Sequence, residues 1–196
     1  MKISAAQADE LMGGPWFDGY TKVVDMHQEL VTVDDFDVEA RAVAYDDTEM
    51  VLFGGGLTVL GTLDLSSDVH SIFAVRGVLR ARRLILGDAL LVVQGTVELD
   101  EWLFGPENEG LFAINSMQIE SSEQDAMLAN VRAPVIAMLD RERCEFVLRE
   151  HGEPRETGQL VPEVLDGVDL DPYVRPELVL GDRLRERLLG GQPVFR

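Results

Sequence analysis

Val51-Leu52-Phe53-Gly54-Gly55-Gly56-Leu57-Thr58-Val59 is followed by two variants of the same phrase, Phe73-Ala74-Val75-Arg76-Gly77-Val78-Leu79-Arg80-Ala81 and Leu91-Val92-Val93-Gln94-Gly95-Thr96-Val97-Glu98-Leu99. Setting Gly55, Gly77, Gly95 and Asn115 beneath one another spaces the copies 22, 18 and 20 residues apart. Four residues earlier stand Val51, Phe73, Leu91 and Leu111; two earlier, Phe53, Val75, Val93 and Ala113. Two residues later stand Leu57, Leu79, Val97 and Met117; four later, Val59, Ala81, Leu99 and Ile119. Leu63, Ile85 and Leu103 follow eight residues after the glycines. Every one of these positions is apolar, and between them fall the polar residues Thr58, Arg80, Glu98 and Gln118.

Alternation with period two is a strand with one buried face. Its return about every 20 residues is a stack of coils. Equivalent strands then pair in parallel, about 4.8 Å apart, and each column becomes an apolar ladder. The glycine column marks a corner that needs positive φ or close backbone approach, and asparagine is the next most tolerant residue there. A leucine-rich repeat has a similar period but needs an asparagine-bearing consensus that does not recur here. An antiparallel sandwich gives alternation without a constant period. The expectation is therefore a mainly β fold: a short parallel β-solenoid (β-helix), capped by N-terminal and C-terminal helices.

Working outward, 1–45 reads as an N-terminal cap, 46–120 as the repeats, 121–150 as a helix and closing strands, and 151–196 as a connection with a C-terminal helix, all in one compact domain. Ser4-Ala5-Ala6-Gln7 has the S-x-x-Q form of a capping box, and Gly13-Gly14 stops the helix it starts. Leu30–Tyr45 is a candidate preceding coil and Val135–Leu148 a candidate pair of closing strands. A short helix is expected over 125–131, an irregular connection over 151–172, and a helix from Pro176 that ends at Gly190-Gly191.

The segments Val51–Leu63 and Val75–Ile85 resemble the bactofilin-like, polymer-forming β-helix repeats of bacteria. The shared form is an apolar pair, a glycine, then Leu-x-Val/Ala and a further apolar pair. The resemblance covers roughly residues 50–120 and implies a β-helix. It implies either a polymer-forming scaffold or one of the small acidic cytoplasmic proteins that carry such repeats and serve as immunity proteins to bacterial polymorphic toxins.

The charge points to the second. The 196 residues carry 36 Asp and Glu against 17 Lys and Arg, a formal charge of −19. Residues 1–50 hold 12 acids and 3 bases, whereas 51–100 hold 5 and 4, so the acidity sits beside a nearly neutral repeat. Such a chain disfavours nucleic acid and anionic membrane, and suits a basic protein. The acidic clusters Asp34, Asp35, Asp37, Glu39 and Asp46, Asp47, Glu49 are the candidate partner-binding surface. Trp102 and Phe104 flank Leu103, so one of them is expected to stand exposed as an interface anchor.

Motifs for chemistry are missing. No phosphate loop, dinucleotide fingerprint or nucleophile elbow occurs, and Gly54-Gly55-Gly56 sits within strand alternation. His27, His70 and His151 share no ligand spacing, and neither acidic cluster has the spaced oxygens and turn glycine of a calcium loop. Cys144, alone, forms no internal disulfide and reads as a strand residue. Arg80, Arg82 and Arg83 are expected to pair with nearby acids. No catalytic residue, cofactor or metal is expected. The N-terminus lacks the apolar core of a signal peptide and no run reaches membrane-spanning length, so the expected location is cytoplasmic. The expected function is an acidic immunity protein that binds and neutralises a basic toxin such as a nuclease. The alternatives are a bactofilin-like scaffold and, after it, an enzyme on the solenoid.

Overall fold

The structure, a computed structural model, describes residues 1–17, 19–37, 50–66, 72–87, 89–105, 112–114, 117–118, 128–140, 145–165 and 176–196. The chain is mainly β. In order come β1 (Lys2–Ser4), α1 (Ala5–Met12), β2 (Val23–His27), β3 (Val31–Val33), β4 (Phe36–Asp37), β5 (Met50–Phe53), β6 (Leu57–Asp64), β7 (Ile72–Ile85), β8 (Leu90–Gly105), β9 (Phe112–Ile114) and β10 (Met117–Gln118). There follow β11 (Val131–Arg132), β12 (Val135–Asp140), β13 (Glu145–Glu150), β14 (Glu153–Arg155), α2 (Pro162–Leu165) and α3 (Pro176–Leu189). Among the described residues these strands form one mixed sheet of fourteen.

The repeat phrase builds three parallel ladders. In the first, β2, β5, the start of β7, the start of β8 and β9 pair in that order. In the second, β3, the start of β6, the middle of β7, the middle of β8 and β11 do so. In the third the order is β4, the end of β6, the end of β7, the end of β8 and β12. The pairing therefore reaches back to Val23–His27, ahead of position 46, where the repeats were expected to start.

Alternation sorts the side chains of every ladder into two sets. One set forms columns: Phe53, Val75, Val93 and Ile114; Leu57, Leu79, Val97 and Val131; Leu63, Leu84, Leu103 and Ile136. With Val51, Phe73, Leu91, Val59, Ala81 and Leu99 they belong to a single buried cluster shared by all three ladders. The other set differs from ladder to ladder. On the first, Leu52, Ala74, Val92 and Ala113 pack with Ala5, Ala8 and Met12 of α1. On the third, Ile85, Phe104 and Ala137 pack with Leu184 and Leu188 of α3. On the second the register places Thr32, Thr58, Arg80, Glu98 and Arg132 side by side, and this face stays polar.

Two glycines of the repeat show why the corner column needs them. Gly77 and Gly95 pair in register with φ of 99° and 147°, and a Cβ on Gly95 would overlap the Gly77 carbonyl oxygen. Positive φ is cheap only without a side chain, and at Gly95 the neighbouring backbone also leaves no room for one.

The helix expected at the N-terminus is present with its signals intact. Ser4 Oγ accepts from Gln7 N at 3.3 Å, Ser4 N donates to Gln7 Oε1 at 3.0 Å, and Gly13 takes the left-handed C-cap with φ of 70°. The C-terminal helix spans Pro176–Leu189 and Gly190 follows it. Their positions correct the expectation that helices cover the ends of the stack. Both lie on apolar sheet faces, α1 on the first ladder and α3 on the third. The edges are met by antiparallel strands, β1 on β2 at one end and β13 then β14 on β12 at the other.

Four further expectations need correcting. Leu84, not Ile85, lies between Leu63 and Leu103, because β6 and β8 each bulge by one residue against β7, between Val59 and Thr62 and opposite Ala81–Arg83. The fourth row is displaced by one: Phe112 and Ile114 pair with Leu91 and Val93. The chain then turns back, so Met117 pairs antiparallel with Ile114, and Val131 takes the place next to Val97. Val131 is accordingly a strand residue and not the end of a helix; 125–127 lie outside the described residues. The stretch from 151 contains β14 and α2, and is less irregular than expected.

Candidate protein-docking surface

Three of the acidic residues that the sequence singles out, Asp34, Asp35 and Asp37, lie on β4 and the turn between β3 and β4. Between β3 and β4 the chain turns at Asp34-Asp35, both exposed. This corner lies over the bulge of β6 and is fastened to it twice. Gly61 N donates to Asp34 O at 2.6 Å, and Thr62 N donates to Asp35 Oδ1 at 2.7 Å. A bulge leaves backbone donors without ladder partners, and the two aspartates supply them. Gly61 has no side chain where Asp35 reaches in; a Cβ there would overlap the carboxylate. The two neighbouring acids thus differ. Asp34 works through its backbone and leaves its carboxylate to solvent, whereas Asp35 commits one carboxylate oxygen to the fold. Asp37 pairs in register with Asp64. Glu39, Asp46, Asp47 and Glu49 lie outside the described residues, as does Cys144.

Beside this corner a groove of about 440 Å³ runs along the end of the first rung, lined by Met1, Met26 and the segment His27–Val31. Met26 N donates to Met1 O at 2.6 Å and Gln28 Nε2 to Met1 Sδ at 2.9 Å. His27 stacks on Phe53 with ring centroids 5.4 Å apart. Leu30, at 55% exposure, forms the outer lip. Glu29 and Leu30, which the sequence reading did not include in the candidate site, are placed here because their backbone crosses Gly55 so closely that a Cβ on that glycine would overlap it. A glycine at Gly55 was the available signal; which segment it makes room for was not.

Trp102 and Phe104 are not exposed anchors. Their relative exposures are 4% and 0%, and both belong to the cluster that joins the third ladder to α3. The strand does alternate, as expected, but both of its faces are covered: Leu103 enters the shared core while Trp102 and Phe104 enter the layer under α3. Arg83 lies 5.7 Å above the Trp102 ring. The indole N–H of Trp102 is buried without a hydrogen-bond partner among the described residues.

The polar face of the second ladder is internally paired, as expected for its arginines. Arg80 Nε lies 2.9 Å from Glu98 Oε2, with Arg132 3.5 Å from the other oxygen of that carboxylate. Arg82 and Arg83 share Glu101 at 2.6 and 2.5 Å. Partial burial acts to raise the Glu101 carboxyl, but the hydrogen bonds and charges of Arg83 and Arg82 outweigh it and hold it below the ordinary carboxylate range. Among the described residues no cluster of three or more His, Cys, Asp or Glu is arranged to hold a metal ion, and no helix is long and apolar enough to cross a membrane.

No family model, characterised protein or solved structure matches the chain.

Proposed function

We propose that this chain is an acidic cytoplasmic binding protein of bacteria, built on a short parallel β-solenoid, that acts as an immunity protein by neutralising a basic toxin such as a nuclease. The solenoid reading rests on the three in-register parallel ladders that share one core. One observation carries the functional reading: exposed carboxylates and exposed apolar side chains meet at one end of the stack, while Arg80, Arg82 and Arg83 of the repeat are paired with Glu98 and Glu101 on its side. A negative, partly apolar surface steers a cationic protein toward itself and masks the groove that such a protein uses for phosphates. The test is co-purification and calorimetry with the product of the neighbouring gene, and survival of cells expressing that product with and without this chain. A one-to-one complex and protection are expected; absence of both would overturn the reading.

The bactofilin-like scaffold remains the second reading, favoured by the repeat itself. It requires successive chains to stack end to end. The antiparallel strands β1, β13 and β14 lie where such stacking would continue the first and third ladders. Sedimentation at high protein concentration distinguishes the two, since a scaffold forms heavy species and an immunity protein a sharp small boundary.

A further inference from the structure

We infer that the outer edge of β3 is where the partner docks, by adding an extended, cationic segment of its own as a further strand. This rests on the reading of the chain as a binder of a basic protein, and names the surface. Among the described residues β3 pairs with β6 alone. Val31 N donates inward to Gly56 O at 3.2 Å. In a ladder alternate residues bond to opposite neighbours, so the N–H and C=O of Thr32 are directed away from β6, and Thr32 is exposed. Unpaired strand groups are a template for another chain unless they are blunted.

Three other edge strands of this sheet are blunted. β1 carries Lys2, β11 carries Arg132 and runs into Pro134, and β14 contains Pro154. Such residues disfavour an added strand by charge or by a missing donor. β3 is Val31-Thr32-Val33, three strong strand formers with no lysine, arginine, proline or bulge. The surroundings specify the occupant. Val31 and Val33 are only partly buried and pack on the shared core, so an added strand continues their apolar columns with alternate side chains. Glu29 precedes the strand and Asp34 and Asp35 follow it, all exposed, which selects Lys or Arg at the intervening positions. Leu30 and the adjoining groove receive an apolar side chain from one end of the segment.

The probe is acetyl-Lys-Val-Lys-Val-Lys-amide, titrated into the full chain while amide exchange at Thr32 is followed by nuclear magnetic resonance. Thr32 N–H is expected to exchange freely in the unbound protein and to slow about tenfold at nine-tenths occupancy. The same peptide with prolines in place of valines, and its Glu-Val counterpart, are expected not to protect it. Thr32→Pro removes the outward donor but keeps the inward bonds of Val31 and Val33; it is expected to abolish the effect. Should Thr32→Pro fail to fold, Thr32→Lys sets a like charge on the edge and is expected to weaken binding. Asp34→Asn is expected to weaken it about two- to fivefold, the range of one exposed charge pair. A Thr32 amide already protected in the free protein, or peptide binding indifferent to these substitutions, would overturn the inference. If Thr32→Pro still binds the neighbouring-gene product at native strength, only the docking edge is refuted. If the native chain binds no such product, the immunity reading falls with it.

Discussion

Asp34 and Asp35 are indistinguishable by sequence, yet the fold uses them differently, and the difference is measurable. Asp35→Ala removes the acceptor of a 2.7 Å bond from Thr62 N. A hydrogen bond to a charged group contributes about 1.5–3 kcal/mol, and the lower end applies because this bond is at the surface and water replaces the lost oxygen. The substitution also frees the β6 bulge that the corner fastens, while the 2.6 Å bond from Gly61 N to the Asp34 carbonyl stays, since it uses only backbone. A loss of about 1–2 kcal/mol is therefore expected, which for a chain of this size lowers Tm by about 2–8 °C. Asp34→Asn keeps its backbone acceptor and changes an exposed carboxylate, so its stability is expected to stay within about 0.5 kcal/mol of the native chain. Thermal and urea unfolding of the two variants, side by side, are the assay. Equal destabilisation by both, or none by Asp35→Ala, would refute the assignment of Asp35 to the fold. The separation also matters for binding experiments, because only Asp34→Asn reports on charge without disturbing the corner.

Two further substitutions test the packing and the charge network. Phe104→Ala empties a fully buried site beneath α3 and is expected to cost about 3–5 kcal/mol, a Tm drop of about 6–20 °C, whereas a surface anchor would lose binding and little stability. Glu101→Gln is expected to be less stable than the native chain at neutral pH. Because the folded carboxyl is held below its ordinary range, that advantage of the native chain exists above the ordinary carboxylate range and is lost as pH falls through the lowered value, so the two stability curves converge in acid; a gap constant with pH would contradict the pairing with Arg82 and Arg83.

Much of the architecture is legible in the chain because it is written in local alternation. In the first three rows the columns through Val51, Phe53, Leu57 and Val59 are those of the alignment, since each lies within a few residues of its glycine and nothing between shifts. The capping box at Ser4 and Gln7 is equally local. Errors begin where distance from the glycine lets a bulge intervene. Ile85 was assigned to Leu84's column for that reason, and Met117 to the place that Val131 occupies. Of the candidate site, only Asp34, Asp35 and Asp37 fall on the described first rung. The groove and the β3 edge, which pairs with β6 alone among the described residues, depend on long-range strand pairing, and no local pattern encodes that.

The sequence by itself determined that the repeat is β, that its strands alternate, that the glycine column needs its freedom and that residues 51–100 are nearly neutral beside a strongly acidic 1–50. These follow from side-chain period, backbone sterics and charge, which act over a few residues. Only the tertiary structure decided what covers each face. An apolar side chain such as Phe104 states that it must be buried, but not against what. The choice between α3 and a partner was made by segments some eighty residues apart in the chain, whose approach is governed by the summed burial of whole faces.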